Sequence, residues 1–168
     1  EVYITLFGDN TSGSPYVDQY DIYTFLDENG NVEGTTECYE SGSVTYSGKL
    51  DEDTGKGTIT VDYDQCIQYY DSTRYDGQFS LVITDAGENS SEVTSYFTTL
   101  SMLDGGVRTT LKGYLSVDFR YRPQTGTFYE ETRQYLTVTH NGETYKVSGT
   151  SAEGVTNNTF VSELNGSI

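Results

Sequence analysis

Only carboxylates are available in this chain as acid–base groups. It has one His, no Gly-x-Ser-x-Gly elbow, no phosphate loop and no HExxH pair. Asp62 and Asp64 sit two residues apart, on one face of an expected strand, close enough to influence each other's ionisation. A glycosidase pair normally comes from separate elements about 5–9 Å apart. Adjacent acids on one strand read instead as a solvated edge, and the chain is expected not to be an enzyme. His140 precedes an Asn-Gly turn and has no evident catalytic or ligand partner, so it reads as an exposed residue beside the turn.

The two cysteines, Cys38 and Cys66, have no CxxC spacing and no His nearby. That pattern points to a disulfide and an oxidising compartment rather than a metal site. They lie toward the ends of Thr35–Tyr70, which reads as one long β-hairpin with a charged tip at Asp51-Glu52-Asp53-Thr54-Gly55. Folding about Glu52 sets Cys38 opposite Cys66. A one-residue slip sets Val44 opposite Val61 and Tyr46 opposite Ile59, a better apolar face. An unbroken ladder cannot satisfy both, because such a slip turns every side chain over. A bulge near Gly42 or in the Asp62–Asp64 segment would reconcile them.

Two turns offer oxygen ligands at alternate positions and raise the question of calcium: Asp27-Glu28-Asn29-Gly30-Asn31 and Asp51 to Gly55. Neither has the bidentate glutamate of an EF-hand at its twelfth position, where Cys38 and Asp62 stand. Turn chemistry alone accounts for both, so no cofactor is expected. Asn10, Asn89, Asn157 and Asn165 open glycosylation sequons.

Length and composition describe the frame that holds these residues. At 168 residues the chain suits one domain. Leu, Ile, Val and Phe together number 36, thin for a core, but 16 Tyr can bury rings while keeping their hydroxyls wet. Tyr and Thr also favour strands. The formal net charge of -17 is polarised. Residues 1–104 hold 20 of the 26 acids and 3 of the 9 bases, while residues 105–168 hold 6 of each. Such a field argues against nucleic acid or an anionic membrane as partner. No apolar run approaches the roughly 18 residues of a transmembrane helix. The absence of an initial Met or signal peptide reads as processing or trimming.

Along the chain, Glu1–Phe7 alternates Val2, Ile4 and Leu6 against Tyr3, Thr5 and Phe7, so both faces are apolar. Residues 8–15, GDNTSGSP, form a flexible connector, and residues 16–168 form the main domain. Tyr16–Asp27 reads as a strand ending at the Asn29-Gly30 turn. A strand is expected at Gln78–Thr84, followed by a polar turn over Asp85–Ser91. Pairing about Gly105-Gly106 sets Leu100 opposite Leu111 and Tyr96 opposite Leu115, with Met102 and Val117 on the same face. Pro123 and Gly126 break the chain. Asn141-Gly142 closes a hairpin that pairs Val138 with Tyr145 and Leu136 with Val147, and a weak strand lies around Thr159–Leu164. No stretch combines helical periodicity with capping. The expected fold is all-β: an antiparallel β-sandwich of about ten strands with meander hairpins, or alternatively a β-barrel.

The runs CYESGSVTYSG, TGKGTITVDYDQC, FTTLSMLDGG, LKGYLSVDF and LTVTHNGETYKVSG resemble uncharacterised secreted or lipoprotein-like β-rich proteins of environmental bacteria. The resemblance covers roughly residues 35–150. It implies export and a β fold and carries no activity.

Two functions are compatible with this reading. One is a structural subunit of an extracellular or cell-surface assembly, such as a pilus-like filament or surface layer. Identical copies would be joined by β-strand addition through Val2, Ile4 and Leu6. The other is an extracellular carbohydrate- or ligand-binding module that uses exposed Tyr.

Overall fold

In β6, Val107–Arg122, odd positions read Val, Thr, Leu, Gly, Leu, Val, Phe, Tyr and even positions read Arg, Thr, Lys, Tyr, Ser, Asp, Arg, Arg. Period-two alternation of this kind separates an apolar from a polar face. A computed structural model describes residues 19–67, 72–156 and 159–167. Among the described residues, one short helix, α1 (Gln19–Thr24), is followed by nine strands. These are β1 (Asn31–Glu37), β2 (Ser41–Leu50), β3 (Gly57–Ile67), β4 (Arg74–Gly87), β5 (Ser90–Asp104), β6, β7 (Thr127–His140), β8 (Glu143–Thr156) and β9 (Thr159–Ser167).

The class expected from the sequence holds: all-β, antiparallel and built of meander hairpins. All nine strands are hydrogen-bonded in strict chain order in one open sheet. Among the described residues the sheet does not close into a barrel, and the strands are not divided between two separately bonded sheets. At about 4.8 Å per strand, the sheet is roughly 40 Å across. Short loops dictate this outcome, because each strand can reach only the one before it.

One face, here the inner face, carries the core. Val44 and Tyr46 of β2, Ile59, Val61 and Tyr63 of β3, Phe79 and Leu81 of β4 and Leu100 of β5 are essentially inaccessible to solvent. Each such apolar side chain contributes about 1.5–3 kcal/mol. The aromatic rings make a continuous line, with Tyr63 5.7 Å from Tyr75 and 6.2 Å from Phe79, and Phe79 5.7 Å from Phe97. Burial raises the Tyr63 hydroxyl well above its ordinary pKa, and neighbouring Tyr46 and Tyr75 add to this.

The segment Tyr16–Asp27 departs from the expected strand. Residues 16–18 lie outside the described residues, Gln19–Thr24 is helical, and only Leu26 bridges to β1, opposite Val32. Ile22 is buried in the core and Phe25 packs on Tyr46, with ring centroids 6.0 Å apart. A turn of helix satisfies its own backbone while delivering these side chains onto the sheet, which a further edge strand would not do.

The cysteine segment also differs from a single long hairpin. Thr35 to Glu37 belong to β1 and pair with β2, for example Thr35 with Thr45. The β2–β3 hairpin pairs Val44 with Tyr63 and Tyr46 with Val61, two residues from the expected register. An even slip leaves the same side chains facing inward. The register does shift between Ser41 and Ser43, around Gly42 at φ 77°, and on the β4 side between Tyr63 and Cys66. The bulge expected near Gly42 is present, and the second irregularity begins only past Tyr63, at the end of the Asp62–Asp64 segment.

The two-residue turns set register more tightly. Asn141 and Gly142, at φ 49° and 84°, suit a type I′ turn, and Val138 pairs with Tyr145 and Leu136 with Val147 as expected. Leu100 pairs with Leu111 as expected. A bulge between Phe97 and Leu100 then moves Tyr96 opposite Tyr114 and Ser95 opposite Leu115. The polar turn expected over Asp85–Ser91 is shorter, because β4 runs through Gly87 and β5 starts at Ser90.

Candidate functional site

The residues singled out for chemistry are dispersed. Asp62 and Asp64 are both exposed on the outer face, on either side of buried Tyr63. Asp62 stands between Thr45 and Gln78, and Asp64 stands opposite Ser43. His140 is exposed beside its turn, with Nδ1 2.8 Å from the Thr109 hydroxyl.

Both acidic turns use their carboxylates internally. Asp27 Oδ1 accepts from the Asn29 and Asn31 amides at 2.8 and 2.9 Å, and Oδ2 accepts from Asn31 Nδ2 at 2.9 Å. The Asn31 side chain, followed by these amides, holds Asp27 below the usual carboxylate pKa. Asp51 Oδ1 accepts from the Thr54 hydroxyl at 2.6 Å and the Thr54 amide at 2.8 Å, which lowers its pKa likewise. Among the described residues no group of three or more His, Cys, Asp and Glu is placed to hold a metal ion.

Cys38 and Cys66 are bonded, with Cα atoms 5.5 Å apart. No helix among the described residues is long and apolar enough to cross a membrane. Of the sequons, Asn89 lies in the β4–β5 turn and Asn165 is exposed on β9, while Asn10 and Asn157 lie outside the described residues. The donor-strand candidates Val2, Ile4 and Leu6 also lie outside them.

What the fold does assemble is a pair of contrasting faces in its second half. On the inner face, the apolar stripe continues past the core through Leu111, Leu115, Val117, Leu136, Val138 and Val147, all only partly buried. On the outer face, Tyr96, Tyr114 and Tyr135 form a row across β5, β6 and β7, with centroids 6.2 and 6.3 Å apart. All three rings are exposed, Tyr135 by 53%. Tyr129 shares this face and donates its hydroxyl to Glu131 at 2.7 Å, which raises the phenol's pKa. The row was not named from the sequence. It depends on the bulge at Phe97–Leu100, which brings Tyr96 level with Tyr114.

The two edges of the sheet are unequal. Along β1, Leu26 bridges Val32 and the Glu33 amide donates to the Phe25 carbonyl at 3.4 Å, so the edge is partly capped. Among the described residues β9 pairs only with β8. An unpaired edge of this kind is a template for another strand.

No protein-family model, curated protein or solved structure matches this chain.

Proposed function

We propose that this chain is a secreted structural subunit of an extracellular assembly, a pilus-like filament or surface layer. Its copies are joined when the N-terminal strand of one adds to the sheet of the next. The observation that carries this reading is the edge asymmetry: β1 is partly capped by Phe25 and Leu26, whereas β9 has no partner beyond β8 among the described residues. A donor strand at β9 would extend the inner face with Val2, Ile4 and Leu6, each contributing about 1.5–3 kcal/mol before ordering costs. Head-to-tail addition of this kind generates open filaments. The disulfide supports an oxidising, extracellular location. In this role the protein performs no catalytic turnover. Deleting residues 1–7 should leave a folded but unassembled domain, seen by electron microscopy and light scattering. Normal assembly of the truncated chain would refute strand addition.

A second reading, an extracellular carbohydrate-binding module, is favoured by one observation, the exposed row Tyr96, Tyr114 and Tyr135. Exposed aromatic rings with polar hydroxyls suit sugars, which present both C–H faces and hydroxyl edges.

A further inference from the structure

All six basic residues of the chain's second half share one face of the sheet. Arg108, Lys112, Arg120 and Arg122 occupy even positions of β6, and neither the β6–β7 nor the β7–β8 ladder contains a register shift. Ser116 therefore sets Arg133 on the same outer face, and Lys112 sets Lys146 there through Thr137. All six are exposed. Of the acids on β6 to β8, only Asp118 and Glu131 join them, while Glu130, Glu143 and Glu153 face inward. Solubility alone does not explain this sorting, because a chain with 26 acids and 9 bases would fill an idle polar face with acids.

Arg120 is paired with Asp118 at 2.9 Å, and Arg133 with Glu131. Arg108 donates to Ser101 at 3.2 Å. The side chains of Lys112, Arg122 and Lys146 make no hydrogen bond or ion pair with any described residue. The row Tyr96, Tyr114 and Tyr135 runs between these cations, with Lys112 two positions before Tyr114 and Arg133 two before Tyr135.

We infer that this outer face binds an extended acidic polysaccharide. The inference rests on the carbohydrate-binding reading and adds to it the ligand's charge and the face that holds it. The face is an open sheet surface, which suits a chain lying across the strands rather than an enclosed small molecule. Carboxylates or sulfates would pair with Lys112, Arg122 and Lys146 through charge-assisted hydrogen bonds, and the sugar rings would lie on the tyrosines. The acidic half of a second copy would satisfy the cations but leave the tyrosines unused.

The test is isothermal titration of the full chain with polygalacturonate, neutral dextran and a single-stranded oligothymidylate. Polygalacturonate should bind, more weakly as salt rises, and dextran should not. Lys112→Gln with Lys146→Gln should weaken binding by about tenfold per lost charge-assisted bond. Tyr135→Ser should weaken it as well, with the fold checked by circular dichroism. Binding of dextran alone would overturn the inference and leave the carbohydrate reading standing, whereas binding of neither sugar would remove both. Equal binding of the oligothymidylate would reduce the face to a general polyanion surface and overturn the polysaccharide assignment. Unchanged affinity in the double variant would also overturn it. So would sedimentation showing that the double variant loses self-association without any sugar present.

Discussion

Cys38 and Cys66 are bonded although their strands are not neighbours: Cys38 lies just past the end of β1, Cys66 near the end of β3, and β2 runs between them. The Cys38 amide donates to the Gly42 carbonyl at 3.0 Å, and the Glu40 amide donates to the Ile67 carbonyl at 3.1 Å. The bond therefore clasps the β1–β2 turn to the far end of β3 and spans three strands. Closing a loop of 28 residues contributes about 3–4 kcal/mol on the chain-entropy estimate. Reduction should lower the melting temperature and leave the far-ultraviolet circular dichroism unchanged. Two free thiols in denatured, non-reduced protein by mass spectrometry would contradict the pairing.

Ser95 is a polar residue inside the core. It faces Leu81 on β4 and Leu115 on β6, is inaccessible to solvent, and its hydroxyl has no hydrogen-bond partner among the described residues. Leaving such a group unpaired costs about 1–3 kcal/mol. Ser95→Ala should therefore stabilise the fold by about 1 kcal/mol, measured by urea denaturation. A loss of stability would show that the hydroxyl is satisfied.

Gly34 of β1 makes room for an aromatic ring. A Cβ built there would lie 2.0 Å from Phe25 Cδ1, and Phe25 in turn packs on Tyr46. Gly34→Ala must displace the ring that helps cap the β1 edge. The expected cost is about 1–3 kcal/mol, with increased hydrogen exchange confined to residues 22–34. Unchanged exchange there would show that Phe25 does not depend on this gap.

Glu130 on β7 stands directly opposite Glu153 on β8, on the inner face. Burial, followed by the Glu153 charge, raises the Glu130 pKa. A carboxyl raised in the folded state contributes stability below its unfolded pKa and loses it as pH rises through the folded value. Glu153→Gln should therefore stabilise the protein at neutral pH by a few tenths of a kcal/mol, since the pair is largely exposed. Asp27 has the opposite sign. Its lowered pKa gives stability above the unfolded value that is lost as pH falls through the folded one. Melting curves should show the stability lost in Asp27→Ala shrinking as pH falls below about 4, and the gain in Glu153→Gln growing as pH rises from about 4 to 7. The same sign for both would contradict the assignment.

Turn chemistry and period-two alternation were legible in the sequence by themselves. Asn141-Gly142 and Gly105-Gly106 leave so few residues in their loops that register is fixed locally, and the pairs Val138 with Tyr145 and Leu100 with Leu111 follow. The disulfide was legible because only two cysteines exist. The six-residue loop between Leu50 and Gly57 fixes no such register, and packing of Tyr46 and Tyr63 set it instead. Helix α1 formed where a Tyr-rich strand was expected, because burying Ile22 and Phe25 on the sheet outweighs a weak β propensity. The row of tyrosines depends on a bulge, and the sorted cations depend on unshifted ladders from β6 to β8. Alternation in one strand shows that residues share a face. Only hydrogen-bond register between strands decides which faces coincide, and register is a property of the assembled sheet.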